Sequence, residues 1–321
     1  MFKANYITTM VMAVFISACS TPSVVSENNA RDILEKNTPN NWRAHQEKTT
    51  EASPVTDAWL KSFNDKALEQ MVSYALANNF QLAAERINVA LAQERLQAST
   101  ATDFPELSLS FDNSRRKQVS SNGKSYQTNA DLSVDLRYEL DLWGKLSAQQ
   151  NQNRLNYAAA QANYQQSKLN LVASITQAWF ELTQAQQLLN LYQERAENLQ
   201  RNLLMIQSSY QLGLNDALDV YLTKNNVNQE LARVAQQQQT LQVNSRALEL
   251  LLGDYPLAQK IGQQSLPFID DEITLGLPAQ LLTRRPDIQA HWLQLLALDA
   301  GLAVAHKQRF PSFNLNASVS D

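Results

Sequence analysis

The side chains able to do chemistry are few and scattered along the chain. Its one thiol, Cys19, excludes an internal disulfide framework. Three histidines, His45, His291 and His306, show no metal-ligand spacing with one another or with Cys19, and His291 beside Trp292 reads as structural. There is no phosphate-binding glycine loop, no G-x-S-x-G elbow and no acid–base arrangement of carboxylates, so neither an enzyme nor a cofactor is expected. What remains is a set of charges in alternation, Asp131, Asp135, Arg137, Glu139 and Asp141, on one face of a strand. Such a face suits a water-filled lumen and also the solvated side of a surface strand. The only short basic run, Arg115-Arg116-Lys117, reads either as a strand end that discourages edge pairing or as a contact for anionic lipid headgroups. A net charge of −4 and a pI near 5.5 provide no clustered Lys and Arg for a phosphate backbone, which excludes a nucleic-acid partner.

The position of Cys19 matters more than its number. Lys3 is followed by an apolar stretch from Ile7 to Ala18, too short to span a bilayer comfortably and of the length of a signal-peptide core. Ile16-Ser17-Ala18-Cys19 resembles the bacterial lipoprotein cleavage box, so residues 1–18 are expected to be a signal and Cys19 the lipidated residue; an ordinary signal peptide with an incidental Cys is the alternative. Ser20, not Asp, follows, and this resemblance implies the outer membrane. From 19 to 56 the chain is polar with Pro22, Pro39 and Pro54, a tether leading away from the lipid. No other segment approaches 18 consecutive apolar residues, so any membrane crossing is expected of strands.

Three periodicities follow. Residues 57–102 carry a helical pattern with a break at Asn78-Asn79. Phe104-Pro105 ends it, and a β-hairpin is expected over 105–142, with a turn at Ser120 to Lys124. Ala130, Leu132, Val134, Leu136, Tyr138, Leu140 and Leu142 lie on one face, and at ~3.3 Å per residue and a tilt of ~45° such a strand crosses roughly 30 Å. Packing of this hairpin on a soluble core would look similar. If it enters lipid, two strands cannot close, and copies from other repeats and chains must complete the cylinder. Past Lys145 no Gly or Pro occurs until Gly213, and 146–252 is expected to form a long antiparallel helical hairpin whose first arm is about 100 Å long. Its seam is expected at Val172, Ile175, Trp179, Leu182, Leu189, Ala196, Leu199, Leu203, Ile206 and Tyr210 on the way out and at Leu218, Tyr221, Leu231, Val234, Leu241, Leu248 and Leu252 on the return. Gly213, Leu214 and Asn215 turn the chain, Asp216 is expected to cap the return helix, and Gly253 and Pro256 stop it. The chain is poor in glycine, with 7 in 321 residues, which favours long helices over a compact enzyme.

Sliding the sequence by 206 positions places Leu76 on Leu282, Leu82 on Ile288, Leu96 on Leu302, Phe104-Pro105 on Phe310-Pro311 and Leu109 on Leu315. Residues 57–271 are thus expected to be one repeat, and 272–321 the start of a second that is cut within its first strand, about 150 residues short by the length of copy one.

Taken in order, Trp59-Leu60 with Phe63 and Asp65, the run Tyr138 to Lys145, Gly213-Leu214 with Leu218-Asp219-Val220, Leu250 to Pro256, Arg284 to Ile288 and Phe310-Pro311-Ser312 resemble the outer-membrane factor family of tripartite efflux systems, the TolC-like channels, in their lipoprotein branch. The resemblance implies a fold that is mainly α with membrane β: an α-barrel of long antiparallel helical hairpins plus transmembrane β-barrel strands, built from two repeats in a homotrimer. It implies passive conduction of drugs or other small molecules, an inner-membrane RND-type transporter supplying the energy, and a periplasmic adaptor. Gly213, Leu214, Asn215 and Asp216 are expected to meet that adaptor, a bare helix turn without a partner being the alternative, and Ser209 stands where the family often has Arg. A periplasmic coiled-coil scaffold would explain the helices and the lipid but leaves the strand and the repeat unexplained.

Overall fold

The computed structural model describes residues 59–121, 123–263, 265–267 and 284–320. Cys19, the tether and the expected start of the second copy at 272 lie outside them. The chain divides into two compact units, one containing 88–163 with the described residues from 284 onward, the other containing 59–87 with the described residues from 164 to 267.

The helix expected over 57–102 is three pieces: a 3-10 turn at Trp59–Phe63, α1 at Lys66–Asn78 and α2 at Phe80–Ala101. Asp65 sets the start of α1, because its carboxylate accepts the amides of Ala67 and Leu68 that the first turn leaves without partners. The break falls at Asn79, whose ψ of 125° leaves the helix. Its side-chain oxygen accepts the Leu82 amide and so caps α2, while its amide donates to the Leu251 carbonyl.

Strands β1 (Glu106–Ser120) and β2 (Gly123–Leu140) run up to the turn, so the hairpin is more regular than the polar stretch at 120–124 suggested. β2 stops at Leu140, not at 142, because Asp141 leaves the ladder to serve the next helix. β3 (Phe313–Ser320) pairs antiparallel with β2, giving the order β1-β2-β3. α3 covers Lys145–Gln211 and α4 Ala217–Leu252. α5 covers Pro286–Lys307, the bounds of α2 displaced by 206 residues, with Pro286 in the first turn where a missing amide proton costs nothing. By length and hydropathy α5 could cross a membrane, yet it carries Asp287 and Asp299 and packs Ala297, Ala300, Leu293 and Leu296 on Leu155.

In the helical unit, Leu68, Val72, Ala75 and Leu82 close on Leu171, Ile175, Trp179, Leu182, Leu248 and Leu252. The outward seam is buried at Ile175, Trp179, Leu182, Leu189 and Ala196 and half-buried at Val172, Leu199, Leu203 and Ile206, but Tyr210, expected to continue it, is exposed. The return seam follows the expected positions in the second half of α4, where Leu248 and Leu252 are buried and Val234 and Leu241 half-buried, but not toward the tip. There Leu218, Tyr221 and Leu231 are exposed, whereas Val227 and Glu230 are buried. The stripe running back from Leu248 through Leu241 and Val234 reaches Glu230 and Val227 at the three-and-four spacing and misses 231, 221 and 218, and the buried Glu230 is tolerated because Arg195 and Arg233 lie at 3.3 and 3.5 Å.

Candidate functional site

The sheet separates its faces residue by residue. Cross-strand partners Leu107–Leu136, Leu109–Val134 and Phe111–Leu132, continued by Val134–Val319, Leu136–Ala317, Tyr138–Leu315 and Leu140–Phe313, place every apolar residue on one side. The other side takes Glu106–Arg137, Ser108–Asp135, Ser110–Ser133 and Asp112–Asp131, continued by Arg137–Asn316 and Glu139–Asn314. A shift of one residue in either pairing would mix the two. Leu109 and Phe111 are 71% and 66% exposed, and Val319 75%, so no described element covers the apolar side. From Ala130 to Leu140 that side extends about 34 Å along β2, or about 24 Å along the normal at a ~45° tilt, the height of a barrel's apolar band.

The four expected lumen residues, Asp131, Asp135, Arg137 and Glu139, therefore share the polar face. Asp131 faces Asp112 directly, an arrangement of like charges that a dry interior would not tolerate. The Ser133 hydroxyl donates to Asp135 at 3.2 Å. Glu139 is tied to Lys145 in an ion pair, which couples the base of β2 to the first turn of α3.

That junction is built by residues the sequence displayed without disclosing their roles. Gly144 has φ +70°, a backbone state that a side chain resists, and it reverses the chain between strand and helix. Asp141 accepts the Leu146 amide at 3.0 Å, the Ser147 amide at 2.9 Å and the Ser147 hydroxyl at 2.6 Å. Burial pushes the Asp141 carboxyl upward, but the hydrogen bonds from Ser147, Leu146 and Lys145 outweigh it and hold the pKa below the ordinary value. Trp143 stacks on Phe310 with ring centroids 5.1 Å apart and donates its indole N–H to the Pro311 carbonyl at 2.8 Å. The Lys307 ammonium donates to the Gly144 carbonyl. The Trp143-Gly144-Lys145 run and the second Phe-Pro pair thus act as one joint, 168 residues apart in the chain.

The turn at the end of the helical hairpin is closed by backbone. The Gly213 amide donates to Tyr210 and the Leu214 amide to Ser209, with Gly213 at φ +74°. Asp216 stands at the N-cap position of α4 with its side chain making no capping bond, a correction to the expected role; the backbone alone starts the helix there, the Asp219 amide donating to the Asp216 carbonyl. Leu212, Leu214, Leu218 and Tyr221 are each at least 65% exposed, so the tip carries an apolar surface that polarity patterns along the arms did not announce. No group of His, Cys, Asp and Glu among the described residues could hold a metal ion.

Residues 71–254 match the model of the outer membrane efflux protein family. Among curated relatives, the probable efflux pump outer membrane protein TtgC of Pseudomonas putida is 27% identical over 282 residues, covering 84% of this chain and 57% of the relative. The cation efflux system protein CusC of Escherichia coli K12 is 26% identical over 267 residues, covering 82% and 57%. The chain is thus similar to proteins of which it spans about 57% of the length. Among solved structures, the outer-membrane channel OprN superposes with a TM-score of 0.75 at 25% identity, over 88% of this chain and 65% of that one. The Campylobacter jejuni CmeC outer membrane channel gives 0.75 at 22%, over 88% and 61%, a likeness of fold.

Proposed function

The chain belongs to the outer membrane efflux protein family, and we propose that it contributes to the outer-membrane exit duct of a tripartite pump, a passive conduit for drugs or other small molecules. The observation that carries this reading is the uncovered apolar side of the sheet. Burying it against protein would need a partner layer, whereas lipid covers it without one, provided the strand edges are closed by further strands. In that reading Asp131, Asp135, Arg137 and Glu139 line the aqueous lumen, and a homotrimer supplies the remaining strands to the β-barrel and the remaining hairpins to the α-barrel. The matching bounds of α2 and α5 support two repeats. Cys19 carries the lipid that adds a second attachment to the outer membrane. The exposed leucines around Gly213 to Asp216 meet a periplasmic adaptor, which links the duct to an inner-membrane transporter of the RND type.

The test is accessibility by face. Single cysteines at Leu109 and Leu132, and at Ser110 and Ser133, are labelled with a fluorophore in a Cys19→Ser background after reconstitution. Nitroxide-bearing lipid should quench the first pair and aqueous iodide the second. Equal quenching of all positions by iodide would show the sheet to be in water and overturn the reading.

A further inference from the structure

The basic run at the hairpin's far end is divided by the alternation of β1, and the register adds the residues of β2 to each side. Arg115 faces Thr128, Lys117 faces Tyr126 and Val119 faces Lys124, all on the side that carries Leu107, Leu109 and Phe111, whereas Arg116 faces Gln127 on the polar side. Side-chain contacts agree with the register: the Arg115 guanidinium lies 4.8 Å and the Lys117 ammonium 5.9 Å from the centre of the Tyr126 ring. Within the three strands this side carries no Asp or Glu at all, and none of its three cations forms an ion pair among the described residues.

We propose that Arg115, Lys117 and Lys124, grouped around Tyr126, form a binding surface for the phosphates of anionic lipid headgroups. The proposal rests on the membrane reading above. Arg115 lies four positions past Phe111, about 13 Å along the strand or ~9 Å along the membrane normal at a ~45° tilt, the depth of the headgroup layer beyond the hydrocarbon. Three donors there are spaced by the strand period on one surface, their aliphatic stems able to lie along apolar neighbours while the charges reach outward. A tyrosine between them matches the aromatic level of membrane interfaces and holds the cations over its ring. An amphiphilic occupant uses the whole surface, since a lipid whose phosphate meets these cations lays its chains along Phe111 and Leu132 on the same side, whereas a soluble anion uses the cations alone. Blocking of edge pairing asks only for charge on β1, whereas Lys124 and Tyr126 bring a third cation and the aromatic ring from β2.

The purified protein is floated with vesicles of phosphatidylcholine alone and of phosphatidylcholine mixed with phosphatidylglycerol, as wild type and as Arg115→Gln, Lys117→Gln, Lys124→Gln, the triple variant and Arg116→Gln. All positions are exposed, and circular dichroism verifies that the fold is kept. Binding to the anionic vesicles should exceed binding to the neutral ones. Each single variant on the apolar side should lose about fivefold of that preference and the triple on the order of 100-fold. Arg116→Gln, which removes the same charge from the opposite side, should lose less than about twofold. Equal binding to both vesicles, or an Arg116→Gln loss as large as that of Arg115→Gln, overturns the headgroup surface while leaving the membrane reading intact. Failure to float with either vesicle overturns both.

Discussion

Replacing Asp65 by Ala should destabilise the helical unit by about 2–4 kcal/mol. Asp65 is only 5% exposed, and its carboxylate meets four donors: the amides of Ala67 and Leu68 at 2.9 and 3.1 Å, the Trp179 indole at 2.7 Å and the Gln263 side-chain amide at 2.9 Å. Loss of the cap costs ~1 kcal/mol. Trp179 is itself 5% exposed, and its indole N–H, left without an acceptor in the core, costs a further ~1–3 kcal/mol. Gln263 is half-buried and its amide can turn to water, which adds little. Asp65→Asn keeps an oxygen for the cap but presents an amide to the indole donor, so it should lose the second contribution and retain the first, falling about 1 kcal/mol short of the Ala variant's loss. Urea unfolding followed by far-ultraviolet circular dichroism, with the slopes compared between variants, measures both differences. An Ala variant within about 0.5 kcal/mol of wild type would show that the network does not hold the start of α1 to the long hairpin. An Asn variant as unstable as Ala would remove the cap from the explanation.

Glu249 gives a pH dependence of known sign. It is 2% exposed and accepts the amides of Ala258, Gln259 and Lys260, pinning the segment after Gly253. Burial raises its pKa, but those amides with that of Leu257 outweigh the effect and depress it. Its stabilisation is therefore present above the unfolded value of ~4.3 and lost as pH falls through the lower folded value, so urea midpoints should drop in acid and drop less in Glu249→Gln. Gly253→Ala should cost several times more than Gly213→Ala: both have positive φ, but a Cβ at 253 would lie 2.6 Å from the Asn78 carbonyl oxygen and one at 213 meets nothing within 4 Å, and calorimetry of the two variants checks the ranking. Cysteines at Leu214 or Asn215 should crosslink to an adaptor in cells far more than one at the exposed Gln184 on the helix, and equal yields would indicate lateral packing. Labelled palmitate should enter the wild type and be absent from Cys19→Ser; incorporation that persists in the variant would place the lipid elsewhere.

Local periodicity and punctuation were legible in the residues themselves. Strict alternation over 130–140 dictates two faces because a strand's side chains repeat every second residue, and Gly213 and Gly253 end their helices because each takes a positive φ. Alternation alone therefore assigned Asp131, Asp135, Arg137 and Glu139 to one face, and the strand pairing puts all four on it. The roles of Asp65, Asp141, Trp143 and Glu249 were not legible. Trp179 lies 114 residues from Asp65 and Pro311 168 from Trp143, and a hydrogen bond across such a separation leaves no spacing to find. That the return seam continues from Val234 to Glu230 and Val227 rather than to Leu231, Tyr221 and Leu218 was decided by packing, because a chain rich in Leu at several offsets offers more than one stripe. The grouping of Arg115 and Lys117 with Tyr126 and Lys124 required the β1–β2 register, since one residue of slip would have set β2's polar face beside them. Sequence determined what each segment is, because backbone state depends on neighbours in the chain. Tertiary structure decided which surfaces cover one another and which stay uncovered, because that is set by contacts between residues the chain holds far apart.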